Sequence, residues 1–144
     1  IETAIRRTTG LDAETIPNLT ITADVPAQTL IEQSAVVVGI NSTTLLEAKL
    51  FGRPVVVPLF AEAAGKYYDE HVYFQNYLDT FNVARSPEEL VEAIDDELAG
   101  RAPQRTLPAE MVTDYLGFFD GRTSDRVVAL MQSDIESARA RRAW

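Results

Sequence analysis

The sequence predicts an α/β fold: a Rossmann-like, doubly wound parallel sheet forming a single domain over residues 1–144. Two apolar, β-branched runs, Ala35-Val36-Val37-Val38-Gly39-Ile40 and Pro54-Val55-Val56-Val57-Pro58-Leu59, read as strands covered on both faces. Between them Thr43 to Phe51 is helical in composition and stops at Gly52, so the three segments form a βαβ unit with parallel strands and a right-handed crossover. The length sets the scale. With 144 residues, 46% of them hydrophobic, the chain can bury one sizeable core but not two.

Taken in order, Ile1 to about Thr9 reads as a helix that stops near Gly10, and Asn18 to Thr22 as a short strand bounded by Pro17 and Asp24. Pro26 to Gln33 carries its proline where a helix tolerates it, giving a short helix before Ala35 to Ile40, the expected central strand. Beyond Leu59, the residues Tyr67, His71, Phe74, Leu78 and Phe81 recur at helical spacing, a stripe suited to core packing more than to binding. Phe81 to Ala84 supplies a further short strand. Ser86-Pro87-Glu88-Glu89 then opens a helix running to about Leu98, with serine as cap, proline in the first position and acids in the first turn. Gly100 to Pro108 is a loop and the one candidate linker. Met111 to Phe119 reads as a short helix and Asp120-Gly121 as a turn. Thr123 to Arg142 reads as a long closing helix with apolar Val127, Val128, Leu130, Met131 and Ile135.

Charge and composition narrow the function. Thirteen basic against 22 acidic side chains leave a net charge of −9, which argues against a nucleic-acid partner. The absence of cysteine removes disulfides, thiolate nucleophiles and cysteine zinc sites, and fits a reducing, cytoplasmic setting. One histidine makes neither a metal site nor a triad, so no metal is expected. Apolar runs fall far short of the roughly 18 to 20 residues of a membrane-spanning helix. Without an initiator Met or a signal pattern, the chain reads as a fragment of a longer protein.

In an open parallel sheet, ligands sit at the carboxyl ends of the strands, where the next helix points its N-terminus at them. Gly39 to Thr44 occupies that position. Backbone N–H groups, a partial positive dipole and the hydroxyls of Ser42, Thr43 and Thr44 suit a phosphate or diphosphate. Thr44-Leu45-Leu46-Glu47 equally matches a capping box, in which those groups are structural. If Thr44 is the cap, Glu47 serves the helix. With a helix start at Ser42 or Thr43, Glu47 lies one turn in and is free to accept hydrogen bonds from ribose-type hydroxyls. Further on, Arg122 and Arg126 stand one turn apart and can grip a diphosphate through forked donors, or pair with Asp120 and Asp125 on the surface. Lys66, following Gly65, is a further candidate.

Read together, Leu30-Ile31, Ser34, Val36-Val37-Val38-Gly39, Asn41-Ser42-Thr43, Glu47-Ala48 and Gly52-Arg53-Pro54-Val55-Val56 resemble the C-terminal domain of GT-B-fold glycosyltransferases. Ser86-Pro87-Glu88-Glu89-Leu90 and Asp120 to Val127 are similar to segments of bacterial surface-polysaccharide transferases, including the CDP-glycerol glycerophosphotransferase group. The resemblance covers most of Asn18 to Val128. It implies one half of a GT-B fold that holds a nucleotide-activated sugar or polyol donor as substrate, with no separate cofactor and with the N-terminal acceptor domain absent. On that likeness Asn41, Ser42, Thr43 and Thr44 would contact the donor phosphates and Glu47 a ribose or sugar hydroxyl. Arg122, Ser124 and Arg126 would be further phosphate contacts. The family's opening strand with its Lys-x-His-Pro stretch is missing and no general base is visible, so turnover by this chain alone is not expected. A cytoplasmic location follows, with peripheral membrane association open to the full-length protein. A sugar-nucleotide epimerase half and a non-catalytic Rossmann-like module are the competing readings.

Overall fold

The computed structural model describes residues 1–65, 74–118 and 120–142. Within them lie helix α1 (Glu2–Thr9), α2 (Ala27–Gln33), strand β1 (Val37–Val38), α3 (Thr44–Leu50), β2 (Val55–Pro58), β3 (Asn82–Ala84), α4 (Pro87–Leu98), α5 (Ala109–Leu116) and α6 (Thr123–Arg142). Short 3₁₀ turns at Ala13–Thr15, Ala61–Ala64 and Gln75–Thr80 connect them. The fold is α/β, with a parallel sheet in the order β1-β2-β3.

The valine run of β2 is the centre of the sheet. Val37 and Val38 pair with Val55 and Val56 on one side, and Val56, Val57 and Pro58 with Asn82, Val83 and Ala84 on the other. Side chains alternate along a strand. Val55 and Val57 accordingly join Leu45, Leu46, Phe74, Phe81 and Met111 in one apolar cluster, while Val56 joins Ala84 and Ala93 in another. Thus α3 covers one face and α4 the other, and Val55, Val56 and Val57 are buried on both. Each such side chain contributes about 1.5–3 kcal/mol of burial.

Local chemistry sets the helix ends. Ser86 Oγ accepts from the Glu89 N–H at 3.1 Å, and Glu89 Oε2 reaches back to the Arg85 N–H at 2.6 Å, so the serine, proline and acids start α4 as their order predicts. Gly52 ends the turn after α3 at φ 70°, a left-handed conformation that glycine adopts without strain.

Several expectations are corrected. Asn18 to Thr22 forms no strand: the segment is exposed, Asn18 sits at φ 63°, and Thr22 Oγ1 takes the Asp24 N–H at 3.3 Å. β-Branched composition makes a strand only beside a partner, and here local side-chain bonds compete. Ala35 to Ile40 shrinks to Val37–Val38, at the edge rather than the centre of the described sheet, with Val38 45% exposed. The strand order runs one way, so no reversal of winding, the feature that opens a ligand crevice in doubly wound sheets, occurs among the described residues. Finally, α6 does not close the domain: Val127, Val128, Leu130, Met131 and Ile135 are all exposed. Of the aromatic stripe, Phe74 and Phe81 are buried with ring centres 5.6 Å apart, as core residues. Lys66, Tyr67 and His71 lie outside the described residues.

Candidate functional site

The loop Gly39 to Thr44 leaves the carboxyl end of β1 and leads into α3. Leu45 presses on it from behind: a Cβ built on Gly39 would stand 2.9 Å from Leu45 Cδ2, so any side chain there would push the leucine terminus aside. Asn41, Ser42 and Thr43 are exposed. Helix α3 begins at Thr44 with Thr43 before it, and the turn satisfies its own amides. Thr44 N–H donates to Ser42 Oγ at 3.2 Å, Leu45 N–H to the Ser42 carbonyl at 3.0 Å, and Leu46 and Glu47 N–H to the Thr43 carbonyl at 2.9 and 3.1 Å. These four donors are therefore already engaged. The exposed hydroxyls of Ser42 and Thr43 are among the groups the loop presents to an anion.

The capping box is not formed. Thr44 is the first helical residue, and Glu47 turns sideways, its Oε2 accepting from Gln28 Nε2 at 3.1 Å and tying α2 to α3. Half-buried between two helices, this carboxylate belongs to the fourth residue of α3, which starts at Thr44, and one of its oxygens is taken by Gln28.

Arg122, Ser124 and Arg126 lie at the start of α6, all exposed. Both arginines pair with aspartates there. Arg126 Nη1 donates to both oxygens of Asp120, at 2.8 and 3.0 Å, its Nη2 reaches Thr123 Oγ1 at 3.3 Å, and its guanidinium lies 5.2 Å from the Phe118 ring centre. Asp120 also accepts the Arg122 N–H at 3.0 Å, while Arg122 Nε faces Asp125 at 3.5 Å. The Arg126 hydrogen bond, followed by the Arg122 amide, holds the Asp120 carboxyl below the usual carboxylate range. None of these bonds reaches Gly39 to Thr44. Of the two readings of these arginines, the structure shows the aspartate pairing.

A second cleft lies at the opposite end of the sheet. About 530 Å³ in volume, it is lined by Lys49, Arg53, Asn82, Glu97, Arg105 and Leu107 among others. Lys49 Nζ donates to the Arg105 carbonyl at 2.6 Å across 56 residues of chain, and Arg105 Nη1 to the Asp79 carbonyl at 2.7 Å. Burial lowers the Lys49 pKa, nearby Glu97 raises it, and Arg105 lowers it further. Sequence reasoning missed this site because its cations come from separate elements and share no motif.

Among the described residues no cluster of His, Cys, Asp or Glu could hold a metal ion, and no helix is long and apolar enough to cross a membrane. Compared with known proteins, the chain matches no family model, no curated protein and no solved structure.

Proposed function

We propose that this chain is a Rossmann-like donor-binding half of a GT-B-type transferase, holding a nucleotide-activated sugar or polyol for transfer in bacterial surface-polysaccharide synthesis. The observation that carries the reading is the Gly39 to Thr44 loop: exposed hydroxyls at the carboxyl edge of a parallel sheet, braced by Leu45 and followed by Glu47. Ser42 Oγ accepts one amide and keeps its own proton to donate to a phosphate oxygen. In this reading Glu47, which accepts from Gln28 through Oε2, offers its other oxygen to a ribose or sugar hydroxyl. As the donor bond breaks, charge grows on the leaving nucleotide phosphate, and fixed hydroxyl donors lower the energy of that state more than of the bound donor. The acceptor and its base would belong to a second domain of such a transferase, which would work in the cytoplasm or at the inner membrane face.

A second reading, a non-catalytic binding module, is favoured by one observation. Arg126 is neutralised by Asp120, and so is not free to compensate a leaving diphosphate. Calorimetric titration with CDP, UDP and GDP separates these possibilities. Saturable binding of one nucleotide, weakened about tenfold or more by Ser42→Ala and by Glu47→Ala, is the expected result. Absence of saturable binding to all three would sink the donor-site reading.

A further inference from the structure

We propose that the cleft at the amino end of the sheet is a binding site for a small phosphate ester, independent of the Gly39 to Thr44 loop. Three cationic side chains, Lys49, Arg53 and Arg105, line it with Glu97 in a chain of net charge −9. Such clustering against the overall charge needs a local cause.

The ordinary cause would be neutralisation of helix C-termini, since α3 and α4 both end here. Yet three of the last four carbonyls of each helix are satisfied by backbone amides. Glu47, Ala48 and Lys49 carbonyls accept from Phe51, Arg53 and Gly52 N–H at 2.9, 2.8 and 3.0 Å. Asp95, Asp96 and Glu97 carbonyls accept from Ala99, Arg101 and Gly100 at 3.0, 2.8 and 3.2 Å. The cations are therefore not needed to cap those six carbonyls. Lys49 and Arg105 instead tie down the 101–107 segment through the Arg105 and Asp79 carbonyls, which fixes both charges in advance of a ligand. Arg53 donates through Nη2 to the Glu32 carbonyl at 2.6 Å, while its Nε is buried and pairs with no described atom.

Size and lining point to an ester rather than to bare phosphate. A volume of about 530 Å³ falls within the range of small-molecule sites, and Leu50, Pro54 and Leu107 supply apolar wall for an organic body. A phosphate offers Lys49 and Arg105 several acceptors at once and favours the charged form of the lysine, against the effect of burial.

The test is a ¹H–¹⁵N chemical-shift titration of the whole chain with phenyl phosphate, inorganic phosphate and, as an uncharged control, phenol. Saturable shifts at the amides of Lys49, Asn82 and Arg105 are expected, tighter for the ester than for either control. Lys49→Met and Arg105→Gln should each weaken binding about tenfold. Glu97→Gln, which removes a carboxylate from the wall, should tighten it, a gain that a misfolded variant cannot produce. Ser42→Ala should leave it unchanged, so failure here and failure of the donor-loop reading are separable. Shifts confined to residues 41–44, shifts that never saturate, or affinity indifferent to all three cleft variants would overturn the proposal.

Discussion

Replacing Gly39 by alanine tests whether the loop glycine is required by packing. Its backbone needs no left-handed conformation, so the effect is steric. The new Cβ would lie 2.9, 3.7 and 3.9 Å from Leu45 Cδ2, Cγ and Cδ1. Ordinary contact begins near 3.4 Å, so Cδ2 must retreat by roughly half an ångström. Leu45 is 2% exposed, and its neighbours leave little room. Overpacking costs about 1–3 kcal/mol, here toward the lower end because a side-chain terminus moves and not backbone. Reduced freedom of the unfolded chain returns about 0.4–1 kcal/mol. The net is a destabilisation of about 0.5–2 kcal/mol, or a fall in Tm of about 2–8 °C for a domain of this size. Thermal unfolding followed by circular dichroism reads it, and a double-mutant cycle with Leu45→Ala isolates the contact. In the Leu45→Ala background, Gly39→Ala should be neutral or stabilising. An equal loss in both backgrounds would refute the steric argument, as would a gain in the parent chain.

Two further outcomes follow from the hydrogen bonds. Ser86→Ala removes the cap of α4 and should cost about 1 kcal/mol, with Ser86→Asp retaining most of the stability; an unchanged melting temperature in the alanine variant would contradict the capping role. Tyr77 donates to Asp114 at 2.7 Å, and that bond, with smaller help from burial, pushes its pKa up to about 12. Because the folded value lies above the ordinary one near 10, this contribution is fully present below pH 10 and disappears as pH rises through 12. Melting temperature should thus fall more steeply over that interval in the parent than in Tyr77→Phe, and parallel slopes would count against it.

What the sequence makes legible is what neighbouring residues decide. The cap of α4 is written in four consecutive residues, and the β1-α3-β2 unit in two apolar runs flanking a helix that ends at glycine. Pairing is another matter. Asn18 to Thr22 has strand composition but lies beside no strand, and the apolar run around Val38 reads as buried although one side of β1 is an edge. At the candidate sites the same limit holds. The position of Ser42 and Thr43 follows from the βαβ unit, whereas the fate of Glu47 depends on Gln28, 19 residues away. The amino-end cleft needs Lys49 and Arg105 brought together across 56 residues, a matter of tertiary folding that no local pattern encodes.

The exposure of α6 has a consequence for how the molecule melts. A 20-residue helix whose described side chains are all exposed gains little from packing, and its order rests on the helix–coil balance and on the Asp120 and Arg126 pairing at its start. That balance shifts gradually with temperature. Heating should therefore shorten α6 turn by turn well before the sheet unfolds, giving a sloping ellipticity baseline beneath the cooperative step and rapid amide exchange along Val127 to Ile135.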